Sequence, residues 1–234
     1  MELRLTARRG ENVLVTIVIP VAVLLFFASV AILPTGDGPP VDFLLPGVLA
    51  LAVIATSLVN LGIATGYERY YGVLKRLGGS PLTRGGLLTA KVVAVLAVEV
   101  AQVVLLVAIA AVALGWRAGP GASLPLFLGA LLLGTLAFAG LGLLLAGALR
   151  AEATLALANG LFIGFLLLGG IILPVSHLPG PLADLAAVLP AAALADAFRL
   201  ALGSAAGDLA RPFVVLGVWG VAAVGLAIRT FRWE

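Results

Sequence analysis

At 234 residues, 62% hydrophobic and only 11% charged, with a mean hydropathy of +1.22, the chain has too few polar side chains to clothe a soluble fold. It has no cysteine and a single histidine, His177, which excludes disulfides, thiolate chemistry and cysteine-based metal sites and leaves a histidine-based site without ligands. The net charge of +3 does not point to nucleic acid, because the basic residues fall between apolar runs rather than in one patch.

A helix needs about 20 apolar residues to cross a hydrocarbon core. Six stretches qualify: 13–33, 43–65, 92–116, 124–149, 154–174 and 212–229. They predict an all-α membrane protein, one transmembrane domain over residues 1–234. The first stretch follows the basic segment Arg4, Arg8 and Arg9 and lacks a small-residue cleavage site after a short apolar core, so it reads as an uncleaved span. Loops at 34–40 and 115–123 are short, and Arg150–Glu152 makes the fourth and fifth spans a tight hairpin. With the N-terminus inside, the inner segments carry Arg4, Arg8, Arg9, Arg69, Lys75, Arg76, Arg84, Lys91, Arg150, Arg229 and Arg232, and the outer ones only Arg117, Arg199 and Arg211. Eleven against three predicts both termini on the cytoplasmic side of the cell membrane.

Two connections are longer. In 66–91 a short helix is expected from Tyr67 to about Leu77, ended by Gly78-Gly79, with Val73, Leu74 and Leu77 on one face and Arg69, Lys75 and Arg76 largely on others. Ser80-Pro81 opens a second helical segment, and Thr83 is placed to cap the run into the third span. The residues alone support two readings equally: an amphipathic helix held on anionic lipid, or a docking site for a cytoplasmic partner. In the outer connection, 175–211, Pro179 and Pro190 interrupt apolar pieces too short to span, which predicts interfacial or re-entrant helices.

Within the spans, Glu99 and Gln102 lie one turn apart on one face. A carboxylate there is costly, and it reads either as a substrate- or proton-handling group or as a hydrogen-bonded packing residue. Asn159 reads as an interhelical hydrogen bond rather than a ligand contact. Gly160-x-x-x-Gly164 fits a helix-dimerisation motif, and packing within the chain explains it as well.

The run Glu68-Arg69-x-x-Gly72-x-Leu74-Lys75-Arg76-Leu77-x-x-x-Pro81 resembles the signature between the second and third spans of type-two ABC exporter permeases, the membrane subunits of drug-, lipid- and polysaccharide-export systems. Tyr70 departs from that pattern, where an acid is common, and Val73 stands where Thr is frequent. The resemblance implies that Tyr67, Glu68, Arg69, Gly72, Leu74, Lys75, Arg76, Leu77 and Pro81 form a coupling element seated on a separate ATP-hydrolysing subunit. The pattern Pro174…Leu178-Pro179…Leu189-Pro190…Arg199 is similar to the family's paired outer helices and implies an outer gate. It further implies a second permease subunit, identical or not, and ATP and Mg held by the ATPase rather than by this chain.

No nucleotide-binding motif is present: Lys75 is followed by Arg76 and Lys91 by Val92, so neither of the two lysines belongs to a phosphate-binding loop. The aspartates are scattered and expected outside, which leaves no metal cluster for phosphotransfer, and no residue is assigned a catalytic role. The expected function is the permease subunit of an ABC exporter moving a hydrophobic drug or lipid. The alternatives are a membrane scaffold that recruits a cytosolic protein, and an ion-coupled transporter using Glu99. In this cysteine-free chain, an impermeant maleimide should label Asp208→Cys in intact cells and Arg76→Cys only after permeabilisation; the reverse pattern overturns the orientation.

Overall fold

The computed structural model describes residues 10–30, 38–79 and 83–230 and is helical throughout, with no strand among them. Nine α-helical elements follow one another among the described residues, with a 3-10 turn at Val175–His177: α1 (Gly10–Val30), α2 (Pro40–Tyr70), α3 (Val73–Gly78), α4 (Arg84–Leu114), α5 (Leu124–Ala148), α6 (Ala151–Leu168), α7 (Gly180–Ala186), α8 (Pro190–Ala201) and α9 (Ala210–Thr230). Helices α2, α4, α5, α6 and α9 are long and apolar enough to cross a bilayer, and the apolar part of α1, Ile17–Val30, is shorter. The chain is an all-α, multi-pass membrane protein.

Helix α2 is the axis of the bundle. Every residue from Leu44 to Ile54 is buried, and α1, α4, α5, α6 and α8 all pack against α2. The outer helices turn apolar residues outward: Val93, Val104 and Val112 on α4, Leu157, Ile163 and Leu167 on α6, Val214, Val218 and Val221 on α9. Such faces suit lipid, where apolar side chains lose nothing by exposure.

Between Ala55 and Asn60, α2 widens into π-helical turns before resuming α-helical form at Leu61. Here the α5 backbone approaches closely. A Cβ added to Gly142 would lie 2.8 Å from the Leu58 carbonyl oxygen and 2.9 Å from that of Ser57, so only glycine lets the two backbones meet at this level.

Several expected boundaries shift. The second and third spans are longer than 43–65 and 92–116, because helix continues through the interfacial residues at each basic end. The first span's last residues, 31–33, lie outside the described residues. The fifth span ends at Leu168 rather than Pro174, since Gly170 adopts a φ of 62° that a continuing right-handed helix does not allow. The tight 150–152 hairpin is present, with α5 ending at Ala148 and α6 starting at Ala151. In the outer connection, α7 and α8 are short and bent by 74° at Leu189-Pro190, as the prolines predict. Trp219 on α9 donates its indole N–H to the Val188 carbonyl (2.9 Å) and ties that bend to the bundle.

Gly160 and Gly164 do not pack within the chain, for nothing lies within 4 Å of an added Cβ at either. The intrachain explanation for that motif is therefore corrected. Gly142→Ala is expected to lower the stability of the purified chain by about 1–3 kcal/mol through overpacking, while Gly160→Ala leaves it unchanged; thermal unfolding in detergent or nanodiscs measures both.

Candidate functional site: the α2–α3 turn and the polar residues of the bundle

One end of the bundle carries the connection from α2 to α4. The expected single helix from Tyr67 to Leu77 is not one element. Tyr67, Glu68, Arg69 and Tyr70 form the last turn of α2, the chain breaks at Tyr71–Gly72, and α3 begins at Val73. The break is Gly72, at φ 71°, where the Tyr71 and Gly72 amides close the helix on the carbonyls of Tyr67 and Arg69.

Two side chains of the last α2 turn reach across the bundle. Arg69 donates from Nη1 to the Gly147 carbonyl (2.7 Å) and from Nη2 to the Leu149 carbonyl, filling acceptors that the end of α5 leaves open. A guanidinium at a helix C-terminus also lies at the negative end of the helix dipole. Glu68 pairs with Lys91 of α4 at 2.6 Å, with Lys91 buried and Glu68 about one-third exposed. Leu74 of α3 is fully buried in one apolar cluster with Leu61, Leu87, Leu88 and Leu143, so α3 is seated on the bundle. Thr83 caps α4, its hydroxyl accepting from the Gly86 amide at 3.1 Å, as expected.

The outward side of the turn is different in kind. Tyr70 and Tyr71 are about two-thirds exposed, with ring centroids 5.1 Å apart, and Tyr67 stacks on Tyr71 at 6.1 Å. Lys75 and Arg76 are exposed beside them, as is Val73. The backbone of Leu77 belongs to α3, and Pro81 lies outside the described residues. The turn thus joins a face locked into the bundle to an exposed aromatic and basic face.

The opposite end holds Arg199 on α8. It is buried, donates from Nη1 to Asp196 (3.0 Å) and from Nη2 to the Gly170 carbonyl, and its guanidinium carbon lies 4.1 Å from the centroid of the Phe43 ring. These contacts join α8, the break after α6 and the start of α2. Arg199, Pro174, Asp42, Phe43 and Asp196 line an open cavity of about 470 Å³. Of the other residues expected in an outer gate, Leu178 closes a 3-10 turn over Val175–His177, Pro179 precedes α7 and Leu189-Pro190 opens α8; none of them lines the cavity.

In the interior, Glu99 and Gln102 meet the π-helical stretch of α2. Ser57 donates to Glu99 Oε1, Thr56 donates to Gln102 Oε1 at 3.0 Å, and Thr135 of α5 is hydrogen-bonded to Glu99 Oε2. All five side chains are buried. Asn159 is corrected: it donates to the Leu155 carbonyl one turn back on its own helix and is exposed, because its face of α6 turns away from the bundle. Sequence reading missed Thr56, Ser57 and Thr135 as partners of Glu99 and Gln102, and Lys91 as the partner of Glu68. Their signal was present, since Thr56 and Ser57 are adjacent polar residues inside a span.

Residues 2–202 match the family model described as ABC-2 type transporter. The chain belongs to the ABC-2 type transporter family. This ABC-2 chain is therefore the membrane subunit of an ABC-type transporter, a permease rather than the ATP-hydrolysing component, and membership implies association with an ABC ATPase subunit. No curated protein matches the chain. In the ABC-2 permease, Glu68→Ala leaves the buried Lys91 ammonium without its partner and should cost about 2 kcal/mol, the exposure of Glu68 moderating the loss. Glu68→Ala with Lys91→Met together should recover most of that stability, and a double-mutant cycle by thermal unfolding measures the difference.

Proposed function

We propose that this chain is the permease of an ABC exporter, and that the α2–α3 turn is the point at which its ATPase acts. The carrying observation is the two-sided turn: Glu68 and Arg69 bind it to α4 and α5, while Tyr70, Tyr71 and Arg76 stand free on the other side. A partner gripping the free face would move α2, α4 and α5 together, because the inward contacts leave the turn no independent motion.

Helix α2 then carries the displacement. Its 31 residues make a rod of about 46 Å, long enough to run from the turn to the end where Phe43 meets Arg199. The contacts of Arg199 with Gly170 and Phe43 are the outer gate in this reading, since displacing α2 changes them directly. A rigid lever between two polar locks turns a small push at one surface into a rearrangement at the other.

The cycle requires a second permease, identical or related, and two ATPase subunits on the cytoplasmic side, which hold ATP and Mg. Both termini are cytoplasmic, the membrane is the cell membrane, and transport is outward. The basic asymmetry of the connections supports this orientation. The substrate class is a hydrophobic drug or lipid, in keeping with the apolar walls of every span.

The test uses the permease co-expressed with ATP-binding-cassette ATPases from the same genome. Stoichiometric co-purification is expected. Tyr70→Ala with Tyr71→Ala, or Arg76→Glu, should lower coupled transport about tenfold or more, consistent with loss of interface anchors, without changing the unfolding temperature of the permease alone. Unchanged transport in all these variants, or a purified complex with no ATPase, overturns the proposal.

A further inference from the structure

Among the described residues, Glu99 is the one acidic residue deep in a span, and it is 1% exposed. Its surroundings, among the described residues, hold no charge to balance a carboxylate. The described apolar part of α1 and the whole of α5 contain no titratable residue, and the π-helical stretch of α2 contains none either. Titratable residues on α2 lie near its ends: Asp42 at one, and Tyr67, Glu68, Arg69 and Tyr70 at the other. Helix α9 contributes only Arg211 and Arg229, in its first and last turns. On α4 itself, Lys91 is about 12 Å along the axis and is engaged with Glu68.

The hydrogen-bond protons can be counted. Ser57 has one, and Glu99 Oε1 accepts it. Thr135 has one, yet its Oγ1 contacts both Glu99 Oε2 and, at 2.7 Å, the Leu131 carbonyl one turn back. A carbonyl brings no proton of its own. Were the threonine proton directed at Oε2, Oγ1 and the Leu131 oxygen would face each other at 2.7 Å with no proton between them. Every contact is satisfied in one arrangement: Thr135 donates to Leu131, the usual back-bond of a helical threonine, and the carboxyl group donates from Oε2 to Thr135.

We infer that Glu99 is held as a neutral carboxylic acid that donates a hydrogen bond to Thr135 and accepts one from Ser57, and so pins the π-helical segment of α2 between α4 and α5. Gln102 supports the same segment one turn along α4 by accepting from Thr56. The π-turn interrupts the regular i→i−4 ladder of α2, and this acid holds α2 at that interruption. Glu99 is a positioning residue in this role: it is enclosed by its partners and is offered to neither substrate nor solvent. The inference needs no ATPase, so its failure would be separate from failure of the exporter assignment.

Infrared spectroscopy of the full-length chain in nanodiscs at neutral pH tests it. The wild type should show a carboxylic-acid C=O stretch that shifts in D₂O and is lost in Glu99→Gln. Glutamine can donate to Thr135 and accept from Ser57, so Glu99→Gln should keep the wild-type unfolding temperature, whereas Glu99→Ala should lower it by several degrees. A wild-type spectrum without that band, or a Glu99→Gln chain as unstable as Glu99→Ala, overturns the inference.

Discussion

Over much of its length α2 has no lipid-facing side, and the rest of the bundle follows from that constraint. In a bilayer, any backbone or side-chain polar group must find its partner within the protein. A helix surrounded by other helices also cannot fit them around it unless some are very close. Gly142 meets this requirement by allowing the α5 backbone to rest on the carbonyls of Ser57 and Leu58. The polar residues of the π-helical stretch are satisfied by two neighbours, Thr56 by Gln102 on α4 and Ser57 by Glu99, which also meets Thr135 on α5.

The two ends of α2 are locked by different chemistry. At the basic end, Arg69 completes the last carbonyls of α5 and Glu68 neutralises a lysine already removed from solvent. At the other end, a buried arginine of α8 rests on Phe43 and holds the backbone where α6 has stopped. Such locks are short-ranged and directional, so they hold or release rather than yield gradually. A central rod fixed in this way ties the two ends of the bundle together.

The short helices α7 and α8 show why irregular backbone is tolerated at this depth. Gly170 ends the preceding span, and the freed Gly170 carbonyl is taken up by Arg199. The Val188 carbonyl at the bend is taken up by Trp219. Neither group is left to lipid, which is the condition for a broken segment to survive there.

Composition and the spacing of apolar runs sufficed for the all-α membrane class, the approximate spans, the tight 150–152 hairpin and the proline-broken pair, because hydrophobic length and proline geometry act locally. Thr83 was readable as a cap for the same reason. Whether Tyr67–Leu77 formed one helix was not readable, since it turned on the left-handed conformation of Gly72, which the surrounding packing selects among those glycine allows. The partners of Glu68, Arg69, Glu99 and Arg199 lie between 3 and 80 residues away in the chain. Asn159 looked like an interhelical bond, and Gly160 fitted a dimerisation motif and a packing contact within the chain equally; both face outward, which removes the intrachain contact. Side-chain type reports what a residue is able to bind; which helix stands opposite depends on how the helices are rotated, and only tertiary packing decides that.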